Sequence, residues 1–233
     1  MSFLSVSFKF LSSIGAFSTI GALVAITFLL LDDKGKISNS GERLRGYLKI
    51  STALWVVGAF GHIVFTLAQI LGTSLSGALD LTVLRSFITQ ITLGQYLAFQ
   101  ALISLIVLVL SFRATKILTL IFTLLISIAA LVAPVFQSHS TSGGSHTLVI
   151  GSLVIHVVAL SLWVGGVLAI AFLSQEDRAI AVPRFSQLAL WAAIAVVISG
   201  AVNAWARLNF TSAWNTNYAY IVVGKTVATI ALV

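Results

Sequence analysis

Four histidines, His62, His139, His146 and His156, are the side chains of this chain best suited to chemistry. Imidazole ligates copper, zinc, iron or nickel, and it can be buried neutral. His139 and His146 lie in the polar stretch Q-S-H-S-T-S-G-G-S-H, residues 137–146. His62 and His156 stand inside long apolar runs, where an ionisable group is costly and points to function by default. There is no Cys, and Met1 is the single Met, so any metal set drawn from these residues is imidazole without sulfur.

Neighbours at helical spacing sharpen the pattern. Trp55, Gly58, His62, Thr66 and Gln69 share one face. Ser152, His156 and Trp163 share another, followed by Gly165 and Gly166, and Ser199, Asn203 and Arg207 recur at four-residue steps. Lys225 lies in the last apolar run. Small residues let helices approach closely, so these faces are expected to point inward. Arg207 and Lys225 would repel a nearby metal cation. They suit a bound anion or haem propionates, so two facing histidines, His62 and His156, also describe a bis-His haem pocket. No nucleophile constellation, phosphate cradle or HExxH is present, and no enzyme activity is expected.

The composition decides what must position these residues. Charged residues make up 8% of 233, hydrophobic residues 59%, and mean hydropathy is +1.09. So little polar surface cannot cover a soluble sphere, which excludes a soluble enzyme, a disordered tail and a nucleic-acid binder. A helix crosses the hydrocarbon core in about 20 apolar residues. Runs of that kind occupy residues 10–31, 50–72, 93–112, 117–136, 147–173 and 188–208. Residues 220–233 begin a seventh that stops within an apolar run, as in a truncated chain. The runs are continuous rather than alternating, so they are helices and not β-barrel strands. The expected fold is an all-α polytopic bundle of about seven spans, the last incomplete. Four spans fall in residues 1–137 and three in 138–233. Leu81, Leu84, Ile88 and Ile91 mark a short interfacial helix between the second and third spans.

Charge then orients the bundle. Lys34, Lys36, Arg43, Arg45, Lys49, Arg113, Lys116, Arg178 and Arg184 fall in connections on one side. Lys9, Arg85 and Arg207 fall on the other. Positive residues stay cytoplasmic, so the N-terminus and the histidine loop are expected outside, with all four histidines in the outer half. Trp214, Tyr218 and Tyr220 are interfacial anchors, and most of the +7 net charge is topology rather than affinity for an acidic partner.

Residues 138–170 carry a histidine-bearing loop and then a helix with His156-x6-Trp163-x-Gly165-Gly166. This resembles the copper resistance D (CopD) family. The stretches R-F-S-Q-L-A-L-W from Arg184, S-G-A-V-N-A-W-A-R from Ser199, and Gly224-Lys225 are similar to the family's following helices. The overall pattern is close to actinobacterial fusions in which a CopD-like half precedes a CtaG-like cytochrome c oxidase assembly half. The resemblance implies copper uptake or tolerance at the plasma membrane. It also implies a periplasmic or extracellular copper chaperone, or cytochrome c oxidase, as partner. By position it implicates His139, His146 and His156, with Trp163 as helix marker, and topology adds His62. Copper is the expected ion, captured by His139 and His146 and held by His156. Haem binding, or a structural assembly role without metal, are the alternatives.

Overall fold

The structure is a computed structural model that describes residues 2–137, 146–208, 220, 222–224 and 227. Among these residues the architecture is all helical, without a named strand. Helix α1 spans Ser2–Val24 and continues into a π-helical turn, Ala25–Leu29. The others are α2 (Asn39–Leu71), α3 (Leu75–Ala78), α4 (Leu81–Gln90), α5 (Thr92–Arg113), α6 (Ile117–Val132), α7 (His146–Ala171) and α8 (Gln175–Leu208). Six of them, counting α1 and α6 with their terminal turns, are long and apolar enough to cross a membrane. The expected seventh span lies largely outside the described residues.

Several helices outrun their apolar stretch. α1 begins at Ser2, not Phe10, so Lys9 lies within the helix. α2 begins at Asn39 because Ser38 caps it, its hydroxyl accepting from the Gly41 amide at 3.4 Å. α8 begins at Gln175, so Arg178 and Arg184 lie on a helix rather than in a loop. Here Ser174 caps the helix, held by Asp177. The Ser174 hydroxyl accepts from the Asp177 amide at 3.2 Å and donates to the Asp177 carboxylate at 2.8 Å. α2 ends at Gly72, whose φ of +61° closes a left-handed cap. Asp80 caps the short α4 through the Thr82 and Val83 amides. Phe87 is buried and Leu84 and Ile88 are packed on the core, whereas Leu81 is exposed.

α1 is the central helix. In its most apolar stretch 67% of residues are buried, against 28% for α7 and for α8. It meets α2 along Ser5, Phe8, Ser12, Gly15 and Thr19. A Cβ on Gly58 would strike the Ser12 backbone, and one on Gly15 the Trp55 backbone. Ser5 and Thr66 hydroxyls pair at 3.5 Å, Thr19 bonds Ser51 and Thr52, and Phe8 stacks on Phe65. It meets α7 along Phe17 and Gly21, where a Cβ on Gly165 would overlap the Phe17 carbonyl. At about 100° per residue the two sets lie on opposite faces of α1. α1 therefore separates α2 from α7.

One end of the bundle gathers the polar connections. Asp177, 5% exposed, accepts hydrogen bonds from Ser40 (2.5 Å) and Arg43 (2.9 Å), tying the start of α2 to the α7–α8 turn. Arg184 donates to the Leu29 carbonyl at 3.1 Å, at the end of the π-helical turn, and Arg45 to the Ala114 carbonyl. The Ile37 amide donates to the Thr115 carbonyl and the Ile117 amide to the Gly35 carbonyl, bridging the 1–2 loop to the α5–α6 turn. All nine basic residues that the sequence assigns to one side sit on these elements. We call this the basic end.

Candidate functional site: the α7–α8 seam

His156 lies ten residues into α7, half-buried, with its ring turned to α8. Nδ1 is 3.2 Å from the Val196 carbonyl oxygen and 3.1 Å from the Ser199 hydroxyl. The carbonyl can only accept, and the Ser199 hydroxyl donates its own proton to the Ala195 carbonyl. Nδ1 must therefore carry the ring hydrogen and share it between both oxygens. In the neutral ring the lone pair then sits on Nε2. A ring nitrogen tied to a backbone carbonyl is the arrangement that orients metal-ligating imidazoles.

The surroundings are built to hold that ring. Ser152 donates to the Ser199 carbonyl at 3.0 Å, one turn from His156. Gly200 is level with the ring, and a Cβ there would stand 3.5 Å from His156 Cε1. Toward the basic end, Ala159, Ala192 and Val196 close the seam, with Trp163 packed against them. Gly166 admits the Phe185 ring of α8. One turn beyond Ser199, Asn203 has a side-chain oxygen that is buried and lacks a hydrogen-bond partner. A buried acceptor left open is costly, and it adds an oxygen donor to this seam.

His62 belongs elsewhere. It stands half-buried on α2, in electrostatic range of Lys9, one turn beyond the Gly58–Ser12 contact. The face bearing Trp55, Gly58 and Thr66 does point inward, toward α1. The Gly21–Gly165 contact puts His156 level with about residue 12 of α1, and hence about one turn from His62 in depth. With helix axes about 8–10 Å apart, however, α1 fills the space between α2 and α7. The structure brings His156 together with Ser152 and Ser199, and does not bring His62 to them.

The remaining residues are only partly placed. His146 is the first residue of α7, about 15 Å from His156 along the axis. That is beyond the reach of two imidazoles on one ion. Arg207 falls in the last turn of α8. The side chains of His146 and Arg207, and all of His139 and Lys225, lie outside the described residues. His62, His146 and His156 all belong to the half of the bundle away from the basic end. Among the described residues no three His, Asp or Glu side chains gather in metal-binding range. Ser199 is the partner whose role spacing alone did not assign. The signal available was a hydroxyl at the same depth on the next span.

Six apolar spans, the buried α1 among them, define a polytopic α-helical membrane protein. The model for the Copper resistance protein D-like N-terminal domain matches residues 1–147, and that for Copper resistance protein D matches residues 179–233. The chain belongs to the copper resistance protein D family, and so is a membrane copper-resistance protein. His156 and Trp163 stand between the two matched segments. No curated protein and no solved structure matches the chain.

Proposed function

We infer that the chain takes copper from the side opposite the basic end and holds it in the α7–α8 seam, with His156 Nε2 as the membrane-embedded ligand. The observation that carries this reading is the Nδ1 contact to Val196 and Ser199, which fixes the imidazole in the seam. His139 and His146 capture the ion near the start of α7, and His156 receives it about 15 Å deeper. This is a relay of stations rather than one centre. Asn203 offers the seam a neutral oxygen. The basic end is cytoplasmic by the positive-inside rule, so the entry side faces outward across the plasma membrane. The receiving partner is a copper chaperone or cytochrome c oxidase. A CtaG-like assembly half following residue 233 would fit that delivery.

Copper content of the purified protein tests the site. His139→Ala, His146→Ala and His156→Ala should each lower copper bound per chain, His156→Ala most of all. Unchanged stoichiometry in all three would sink the assignment. The haem reading needs His62 and His156 on one iron, and the position of α1 weighs against it. A Soret band in the purified protein would restore it.

A further inference from the structure

At the basic end the backbone forces two lysines together. Asp33 and Lys36 exchange two amide–carbonyl bonds of 2.9 Å across the turn Lys34-Gly35, whose φ angles are +51° and +79°. Lys36 is bridged in turn to Lys116. The bonds flanking that bridge, Ile37 to Thr115 (2.9 Å) and Ile117 to Gly35 (3.0 Å), make it the wide, non-hydrogen-bonded kind of antiparallel pair. In such a pair the Cα atoms stand about 4.5 Å apart and the side chains project to the same side. Like charges directly opposite are destabilising.

Lys36 and Lys116 are exposed, and neither has an ion-pair partner among the described residues. Asp33 flanks Lys36 on its other side without forming an ion pair, and Asp32 is occupied by the Gly35 amide at 2.6 Å. Lys34 and Arg113, both exposed, add two more cations on the adjoining turns. The flanks, by contrast, are apolar and exposed: Leu31 is 56% exposed, Leu118 78%, and Phe112 57% with the Lys49 ammonium over its ring at 4.7 Å. Lysines meet exposed apolar side chains here at the boundary of the spans. Solvated lysines at span ends are ordinary, but a backbone clamp that pairs two of them is not.

We propose that Lys36 and Lys116 form a binding site for an anionic phospholipid, the bridged ammonium groups taking the phosphate and Phe112 and Leu118 the start of an acyl chain. Lys34 and Arg113 supply the surrounding field. The adjoining apolar residues select a lipid over a free phosphate ion. The site is independent of copper and of the α7–α8 seam.

Native mass spectrometry of the full chain in zwitterionic detergent tests it, with phosphatidylglycerol or phosphatidylcholine as the probe. Wild type should prefer phosphatidylglycerol, and K36Q/K116Q should lose about thirtyfold in affinity for it. K36R/K116R should retain the preference. K9Q/R85Q, which removes the same charge elsewhere, should also retain it. K36Q/K116Q should melt no lower than wild type in the detergent alone, because the like-charge pair is gone. Phosphatidylglycerol should raise the melting temperature of wild type only. Equal binding of both lipids by wild type would overturn the proposal. So would wild-type lipid affinity in K36Q/K116Q, or equal loss in K9Q/R85Q. Displacement of the lipid by millimolar inorganic phosphate would reduce the site to one for an adventitious anion and overturn the lipid assignment.

Discussion

The α1–α2 and α7–α8 seams lie on either side of the bundle axis and are built on opposite principles. α1 and α2 meet at Gly15, Gly58 and Gly61, so closely that a Cβ at any of them would overlap the partner helix. Their hydroxyls pair across the seam or turn back to their own helix. The α7–α8 seam is looser at the level of His156. A Cβ on Gly200 would meet the ring only at van der Waals distance. Each seam leaves one buried polar atom open, Trp55 Nε1 in the first and Asn203 Oδ1 in the second, so polar satisfaction does not separate them. The closeness of helix approach does, although each seam carries a histidine.

Substitutions can break that contrast, and the largest effects should come from the glycine seam. Gly58→Ala or Gly15→Ala drives a Cβ into backbone and should sharply reduce the folded monomer, read from the size-exclusion peak. Gly200→Ala in the other seam should leave folding intact. If both seams tolerated, or both rejected, the added carbon, the distinction would fail. Next in size is the copper response to histidine loss: His156→Ala should remove seam-bound copper while His62→Ala retains it, read by metal content per chain. Equal loss in both would place the two rings in one site and return α1 to the sidelines. Smallest is Ser199→Ala, which leaves the Val196 carbonyl to hold Nδ1. It should weaken copper binding about tenfold, a typical result of losing an outer-shell partner, with little change in melting temperature. Ser199→Thr keeps the hydroxyl and should restore binding.

The sequence carries the spans plainly, because continuous apolar runs have one reading in a bilayer. It also carries the division of basic residues between the ends, since loop charge follows connectivity. It does not carry the true helix limits. α2 and α8 run far into polar segments because local caps, not hydropathy, start them. The Ser174 cap ahead of Glu176 and Asp177 is the signal that would have moved Arg178 and Arg184 onto a helix. At the site, the shared faces of Trp55–Gly58–His62 and Ser152–His156 are legible from spacing. Which face meets which is not. That depends on α1 lying between α2 and α7, a tertiary order set by Gly21 against Gly165 and Gly58 against Ser12. Depth can be read from a linear sequence, but lateral neighbours cannot, so His62 and His156 look adjacent when they are only level.

The fastening of the basic end has a mechanical consequence. Asp177, Arg184, Arg45 and the Lys36–Lys116 bridge tie three connections together there. Toward the opposite end, the hydrogen bonds between spanning helices join sequential pairs, as in Ser5–Thr66, Gln100 to Ala130 and Ser152 to Ser199. The bundle is thus a sheaf bound at its foot. Ser152 and His156 fasten α7 to α8 at their own level, so that pair would move as one body against α1 rather than open along its seam.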